Sequence, residues 1–328
     1  MRLAAAALAA ALLSAPAAAD DATVNAVQLT RFQNAGIGET VQGLVFEGGL
    51  ELHSATDTFG GLSAIGFTGP DNRLAMVSDR GNFVSGELIY DDKGMPLSLV
   101  GVRIDPIQNS KGADLPRAFA RDAEALTVIQ RPGDKSVVRV GFENLTRVAD
   151  FHLADGVPQG PAIEVAIPDW LTRTRTNESL ETVCVAPPAS PVAGSTLLLT
   201  EGVLDHDGAH EGWLLGKNDR GPMRYRSGTS TNPTDCAFLP NGDLLVLERG
   251  VVLVNFAARL VRVRAADVKP GTQMQGEVLF EAVGGDLDNM EGLTAHPGPD
   301  GRTRITLVSD NNFNDWERSL LLEFTLPQ

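Results

Sequence analysis

Residues 124–168, EALTVIQRPGDKSVVRVGFENLTRVADFHLADGVPQGPAIEVAIP, contain four apolar runs at 124–130, 137–143, 147–153 and 161–168. Each run is of strand length and rich in Val, Ile, Leu or Phe, residues that suit a pleated, half-buried surface. The pieces between them, such as RPGDK and ADGVPQG, carry the Gly, Pro and Asp that turns require. Four antiparallel strands joined by hairpins are therefore predicted here, opening on the acid Glu124 and with the second strand ending on the acid Glu143.

The same grammar recurs outward from this stretch in both directions. Strand openings fall at Ser63, Glu124, Glu181, Asp235 and Glu291, with gaps of 61, 57, 54 and 56 residues. The second strands, among them LAMVSD, STLLLTE, DLLVLE and ITLVSD, end at Asp79, Glu143, Glu201, Glu248 and Asp310. A period of this length with about four short strands per unit is the pattern of a radial array of blades. The predicted fold is an all-β propeller with five repeats, or six if the N-terminal segment builds a blade of its own. The fifth unit lacks one strand before the chain stops at Gln328, and VNAVQLT or GLVFEGGLELHS near the N-terminus can supply it. Such a pairing closes the ring and removes exposed sheet edges.

Residues 1–19 read as an export signal, with Arg2, an Ala/Leu run and Ala17-Ala18-Ala19 before Asp20. The expected mature chain, 20–328, is one domain located in the periplasm or secreted, and no later stretch reaches the ~20 apolar residues of a membrane span. A formal net charge of −15 disfavours nucleic acid as a partner, because phosphates need Lys and Arg, and it suits either bound cations or a solvated acidic surface. Cys184 and Cys236, placed at odd offsets from Glu181 and Asp235 on neighbouring units, are expected to point the same way round the ring, as two buried thiols and not a disulfide.

Equivalent positions in a propeller surround one axis, so the opening acids Glu124, Glu181, Asp235 and Glu291 are expected to form a ring, with Ser63 in the acid's place in the first unit. Like charges this close raise one another's pKa or require a cation, and calcium suits a set of hard oxygen ligands. Asp310 joins the expected ligands from the second tier of strand ends. Arg80, Arg121 and Arg249 alternate with these acids and could bind an anionic group. The loop Asp205-His206-Asp207 with His210 and Glu211 lacks the order of a zinc hydrolase, and Asp310, Asn312 and Asn314 lack the glycine and distal glutamate of an EF-hand. No nucleophile elbow, phosphate loop or dinucleotide fingerprint occurs.

The words Phe59-Gly-Gly-Leu-Ser63, Val77-Ser-Asp-Arg-Gly81, Arg121-Asp-Ala-Glu124, Asn177-Glu-Ser-Leu-Glu181 and Asn289-Met-Glu291-Gly-Leu resemble those of the phytase-like family, whose members are described as having esterase-like activity of phytase type. The resemblance runs from about residue 43 to the end. It implies an exported β-propeller and metal-dependent hydrolysis of phosphate or related esters. It points to Ser63, Asp79, Arg80, Arg121, Glu124, Glu181, Glu291 and Asp310. The fourth unit has Asp235 where the family's usual residue is Glu, and the Asp-Asp-Pro-Ala core motif of the alkaline β-propeller phytases does not occur.

Together these readings give Glu124, Glu181, Glu291 and Asp79 as catalytic candidates, with Arg80, Arg121, Arg249 and Ser63 binding a small anionic ester. Glu124, Glu181, Asp235, Glu291 and Asp310 would hold calcium. The alternative from another class is a non-catalytic, calcium-stabilised propeller that binds a ligand or partner protein.

Overall fold

The computed structural model describes residues 20–327 except Asp134 and Asp219, so the export signal read from the sequence lies outside the described residues. Five small antiparallel sheets follow one another along the chain. Their first strands, Leu62–Phe67, Ala123–Ile129, Leu180–Val185, Asn232–Phe238 and Met290–Pro297, each neighbour the next, and the last neighbours the first. The result is a five-bladed β-propeller, and the N-terminal segment forms no sixth blade.

From the inner strand the chain runs outward in the first four blades, and inner strands are almost wholly buried while outer strands alternate between buried and exposed residues. Faces of adjacent blades pack through aliphatic and aromatic side chains, for instance Ala64, Val77 and Phe83 against Leu126, Val140 and Phe151. Turn chemistry follows the sequence: Gly242 in the Pro240-Asn241-Gly242-Asp243 turn adopts φ 93, where a side chain would be strained.

The fifth blade is completed from the other end of the chain. Outward from Met290–Pro297 and Thr303–Ser309 comes Ser319–Thr325, and beside it lie Leu44–Ser54 and then Val24–Leu29. Both N-terminal runs singled out in the sequence are used. Glu47, buried on the joining strand, accepts a hydrogen bond from Thr325 at 2.7 Å and pairs with Arg304 at 3.1 Å and Arg302 at 2.8 Å. Tyr90 of the first blade donates to Glu323 of the last at 2.7 Å. Two further short strands widen the ring, Asp20–Ala22 on the first blade and Gln273–Met274, parallel, on the third.

Cys184 and Cys236 form a disulfide, with Cα atoms 5.8 Å apart. This corrects the expectation of two thiols, and the cause is a one-residue register difference. In the fourth blade the residue equivalent to Glu181 is Thr234, as shown below, so Cys184 sits three residues beyond its reference point and Cys236 only two. With a side-chain period of two they face each other across the third and fourth inner strands. The bridge spans 52 residues, and removing such a link typically costs about 2–4 kcal/mol. Reductant should therefore lower the melting temperature of the wild type and leave that of the Cys184→Ser, Cys236→Ser double variant unchanged; equal wild-type melts with and without reductant would show that the bridge adds no stability.

Candidate functional site

Every inner strand opens with a β-bulge. The ladder to the second strand skips one residue between Leu62 and Ala64, Ala123 and Ala125, Leu180 and Thr182, Pro233 and Asp235, and Met290 and Gly292. The skipped residues are Ser63, Glu124, Glu181, Thr234 and Glu291. A bulge leaves one residue unpaired and re-aims its side chain, and here it does so five times around one axis.

A second tier is fixed by equally regular backbone bonds. The amides of Asp79, Glu143, Glu201 and Asp310 donate to the carbonyls of Gly61, Asp122, Ser179 and Asn289 at 3.1, 2.9, 3.1 and 2.9 Å. In the fourth blade the residue opposite Asn232 is Arg249. The two tiers are thus Ser63, Glu124, Glu181, Thr234, Glu291 and Asp79, Glu143, Glu201, Arg249, Asp310. The fourth blade contributes no acid to either tier; it contributes a hydroxyl and a guanidinium.

Asp235 and Glu248 occupy positions one residue out of register with the other opening and closing acids. Asp235 takes the place held elsewhere by Ala64, Ala125, Thr182 and Gly292, a place so crowded that a Cβ on Gly292 would lie 2.9 Å from the Ala64 backbone. Its carboxylate accepts from its neighbour Cys236 N–H at 2.7 Å and from Leu293 N–H of the next blade at 2.7 Å. Glu248 accepts from Tyr225 Oη at 2.6 Å, Gly228 N at 3.0 Å, Thr231 Oγ1 at 2.5 Å and Arg259 at 2.5 Å. Both are used up in joining blades.

At the mouth, Arg249 is central. It pairs with Glu201 and with Glu291 at 3.3 Å each, and donates to Asn289 Oδ1 at 2.9 Å. Desolvation works against its charge, but Glu291, Glu181, Glu201 and Glu124 more than reverse that effect and raise its pKa. Glu181 shares a side-chain hydrogen bond with Glu143, which also accepts from Ser179 N–H at 2.8 Å. Ser63 hydrogen-bonds Glu124.

The acids are held far from their ordinary protonation. Burial and then repulsion from Asp122 push the Glu124 carboxyl well up, and burial and then Glu143 do the same to Glu181. Burial raises Glu291 to about 8 in spite of Arg249. Burial also raises Asp79 to about 7, helped by Asp310, and Glu143 to about 7. Burial lifts Asp310 to about 6. Oxygens of Asp122, Glu124 and Glu143 all lie within 4.8 Å of one another. Asp79 Oδ1 is buried with no hydrogen-bond partner, and Gly61 next to it must be glycine, since a Cβ there would sit 2.3 Å from that oxygen.

Beside these tiers, between the first and second blades, opens a cleft of about 520 Å³ lined by Asp79, Arg80, Phe119, Arg121, Asp122 and Asn144. Arg80 lies over the Phe313 ring at 3.3 Å from its centroid, and Arg121 Nε donates to Leu115 O at 2.7 Å. The insertion at 106–120 forms part of the wall. Of the predicted residues, Ser63, Asp79, Glu124, Glu181, Arg249, Glu291 and Asp310 meet at the axis, Arg80 and Arg121 stand at the adjoining cleft, and Asp235 stands apart. Asp122, Glu143, Glu201 and Asn289 belong with the first group; each is the acidic or amide partner flanking a bulge.

In the Asp205-His206-Asp207 loop, Asp205 Oδ1 accepts from Asp207 N and Ala209 N at 2.9 Å each, and Arg224 and Arg226 donate to Asp205 Oδ2 at 3.2 Å and to Asp207 O at 2.7 Å. In the 310–314 loop, Asp310 Oδ1 accepts from Asn312 N at 2.6 Å and Asn314 Oδ1 from Trp316 N at 3.0 Å. His296 is buried and stacks on Phe67 at 3.5 Å.

With this geometry in place, residues 57–313 match the phytase-like family, described as esterase-like activity of phytase, and the chain belongs to that family. The family suggests an esterase-like hydrolase. Among solved structures the chain is similar to U3-55K, with a TM-score of 0.40 and 9% identity over 82% of this chain and 96% of that one. It is also similar to the WD40 repeats of RRP9, with a TM-score of 0.40 and 11% identity over 82% and 95%. No curated protein matches it in sequence. No helix among the described residues is long and apolar enough to cross a membrane.

Two outcomes follow from the register and the crowding. If the mouth acids hold an added divalent cation, Glu181→Gln should weaken its binding by at least tenfold in titration calorimetry, whereas Asp235→Asn should leave it within twofold and lower only stability; the reverse ranking would reject the register. Because the folded state holds these carboxyls protonated above their unfolded pKa, it binds more protons than the unfolded chain between roughly pH 4.5 and 8. Stability in chelator should accordingly fall as pH rises through that window, which melting temperatures taken at a series of pH values would check.

Proposed function

We propose that this protein is an exported, metal-dependent hydrolase of small anionic esters, phosphate esters or their relatives, working at the two-tier carboxylate mouth of the propeller. The observation that carries the reading is the packing of eight carboxyl groups (Asp79, Asp122, Glu124, Glu143, Glu181, Glu201, Glu291 and Asp310) at one mouth, where Arg249 offsets Glu291, Glu181, Glu201 and Glu124 and Arg80 offsets Asp79 and Asp310. Like charges at such spacing and burial either stay protonated or hold a cation. The donor set fits a hard divalent ion: all are oxygen donors, three of them are mutually within 4.8 Å, and one buried carboxylate oxygen is left without a partner. Calcium is the proposed ion, held by Glu124, Glu181 and Glu291 with Asp122, Glu143 and Asp310 around them; Asp235 is left out of this set because both its bonds go to backbone amides. When bound, such an ion would offset negative charge that develops on the ester.

The chain's own residues would then act as follows. Arg80 and Arg121, flanking the cleft that opens onto Asp79, would draw in the anionic group of the ester. Asp79, whose Oδ1 is unpaired and whose pKa lies at about 7, would take the proton of the attacking water. Arg249 keeps Glu201 and Glu291 in place through its two ion pairs, and Ser63 steadies Glu124.

Hydrolysis of p-nitrophenyl phosphate and p-nitrophenyl acetate, with calcium and with chelator, tests the reading. Calcium-dependent turnover is expected, reduced by about 10²–10⁴-fold in Asp79→Asn and abolished in Glu124→Gln and Glu291→Gln. Turnover that survives both chelator and those variants would remove the mouth as the active site. A calcium-dependent rise in melting temperature without turnover of either ester would make the protein a metal-stabilised ligand-binding propeller instead.

A further inference from the structure

Three large apolar residues are far more exposed than any others described: Leu253 at 92%, Val254 at 91% and Trp316 at 87%. The remaining exposed apolar side chains reach at most 60%. All three lie in connections from a second to a third strand, those of the fourth and fifth blades. Since second strands end at the carboxylate mouth, these connections stand on the mouth side of the ring. Leu204, from the corresponding connection of the third blade, and Phe119, beside the cleft, add exposed apolar surface on that side.

The fourth-blade connection is built to project. Its two strands, Leu244–Val252 and Asn255–Val263, stay paired past Arg249 through Gly250, Val251 and Val252, which at 3.3–3.4 Å per residue lifts the tip roughly 10 Å beyond the mouth. The tip is the pair Leu253-Val254, and Leu253 adopts φ 58, a conformation that suits Gly or Asn and strains a bulky side chain. A hairpin needing only a turn would place Asn-Gly there. No charge occurs between Gly250 and Phe256.

We propose that this face docks on a zwitterionic lipid surface, with the Leu253-Val254 tip and Trp316 entering the headgroup boundary. Aliphatic tips and an indole on the same side of the ring match the chemistry of that boundary, where Trp is enriched and shallow apolar insertion supplies the binding. Net charge selects the lipid: at −15 the protein is repelled by anionic headgroups, so attraction must come from apolar insertion into an uncharged surface. The inference is independent of hydrolysis and holds equally for a ligand-binding propeller.

The test is flotation of the protein, as its cell produces it, with phosphatidylcholine vesicles, alongside tryptophan emission. Expected are co-flotation, a blue shift that is absent in Trp316→Phe, and at least a tenfold loss of vesicle partitioning in Leu253→Asp, Val254→Asp. The same variants should keep the wild-type melting temperature. Absence of co-flotation overturns the proposal. So does flotation unaffected by the double substitution, which would assign attachment to residues outside this face. A change in oligomeric state by light scattering, without any change in vesicle binding, overturns it in favour of self-association.

Discussion

One extra residue at the start of each inner strand governs this molecule. The bulge turns Ser63, Glu124, Glu181, Thr234 and Glu291 toward the axis while the rest of each strand keeps its ladder, and it brings the last residue of the second strand alongside. Without it, the period of two would send alternate residues into the interfaces between blades, where carboxylates would be stranded among Leu and Val side chains. The fold can therefore concentrate charge at one mouth and remain apolar below it.

The repetition of acids is broken once in the first blade, at Ser63, and in both tiers of the fourth, and the fourth-blade break is what makes the mouth chemically uneven. Five identical acidic openings would leave the axis with negative charge alone. Thr234 and Arg249 introduce a neutral and a positive position, so Glu201 and Glu291 are neutralised on one side, while the crowding of Asp122, Glu124 and Glu143 stays on the other. The adjoining cleft between the first two blades opens on that crowded side, through Asp79 and Asp122.

The propeller, its blade count and its closing by an N-terminal strand were legible in the sequence, because strand-length apolar runs and a nearly constant interval do not depend on the fine register. The fourth unit was not. Asn232-Pro233-Thr234-Asp235 offers two adjacent polar residues, and the acid is the more conspicuous one. The better guide was size: Ala64, Ala125, Thr182 and Gly292 show that the residue after the bulge must be small, and Asp235 is tolerated there because backbone amides of Cys236 and Leu293 satisfy it. The same slip by one residue hid the disulfide and made Glu248 look like a member of the second tier in place of Arg249. Partners that arise only in three dimensions, such as Phe313 under Arg80, left no trace in spacing.

The joint in the fifth blade bears on how the molecule can come into being. Ser319–Thr325, at the very end of the chain, must find Leu44–Ser54 near its beginning, with Leu320 opposite Glu51 and Thr325 opposite Val45. Contacts so distant along the chain are entropically costly until most of the polypeptide is available, and they slow folding. Until Ser319–Thr325 is available the blades form an open arc, and the ring closes only when that strand pairs with Leu44–Ser54. The carboxylate mouth, which needs Glu291 and Asp310 from that final blade beside Ser63 and Asp79 from the first, is assembled in the same late event.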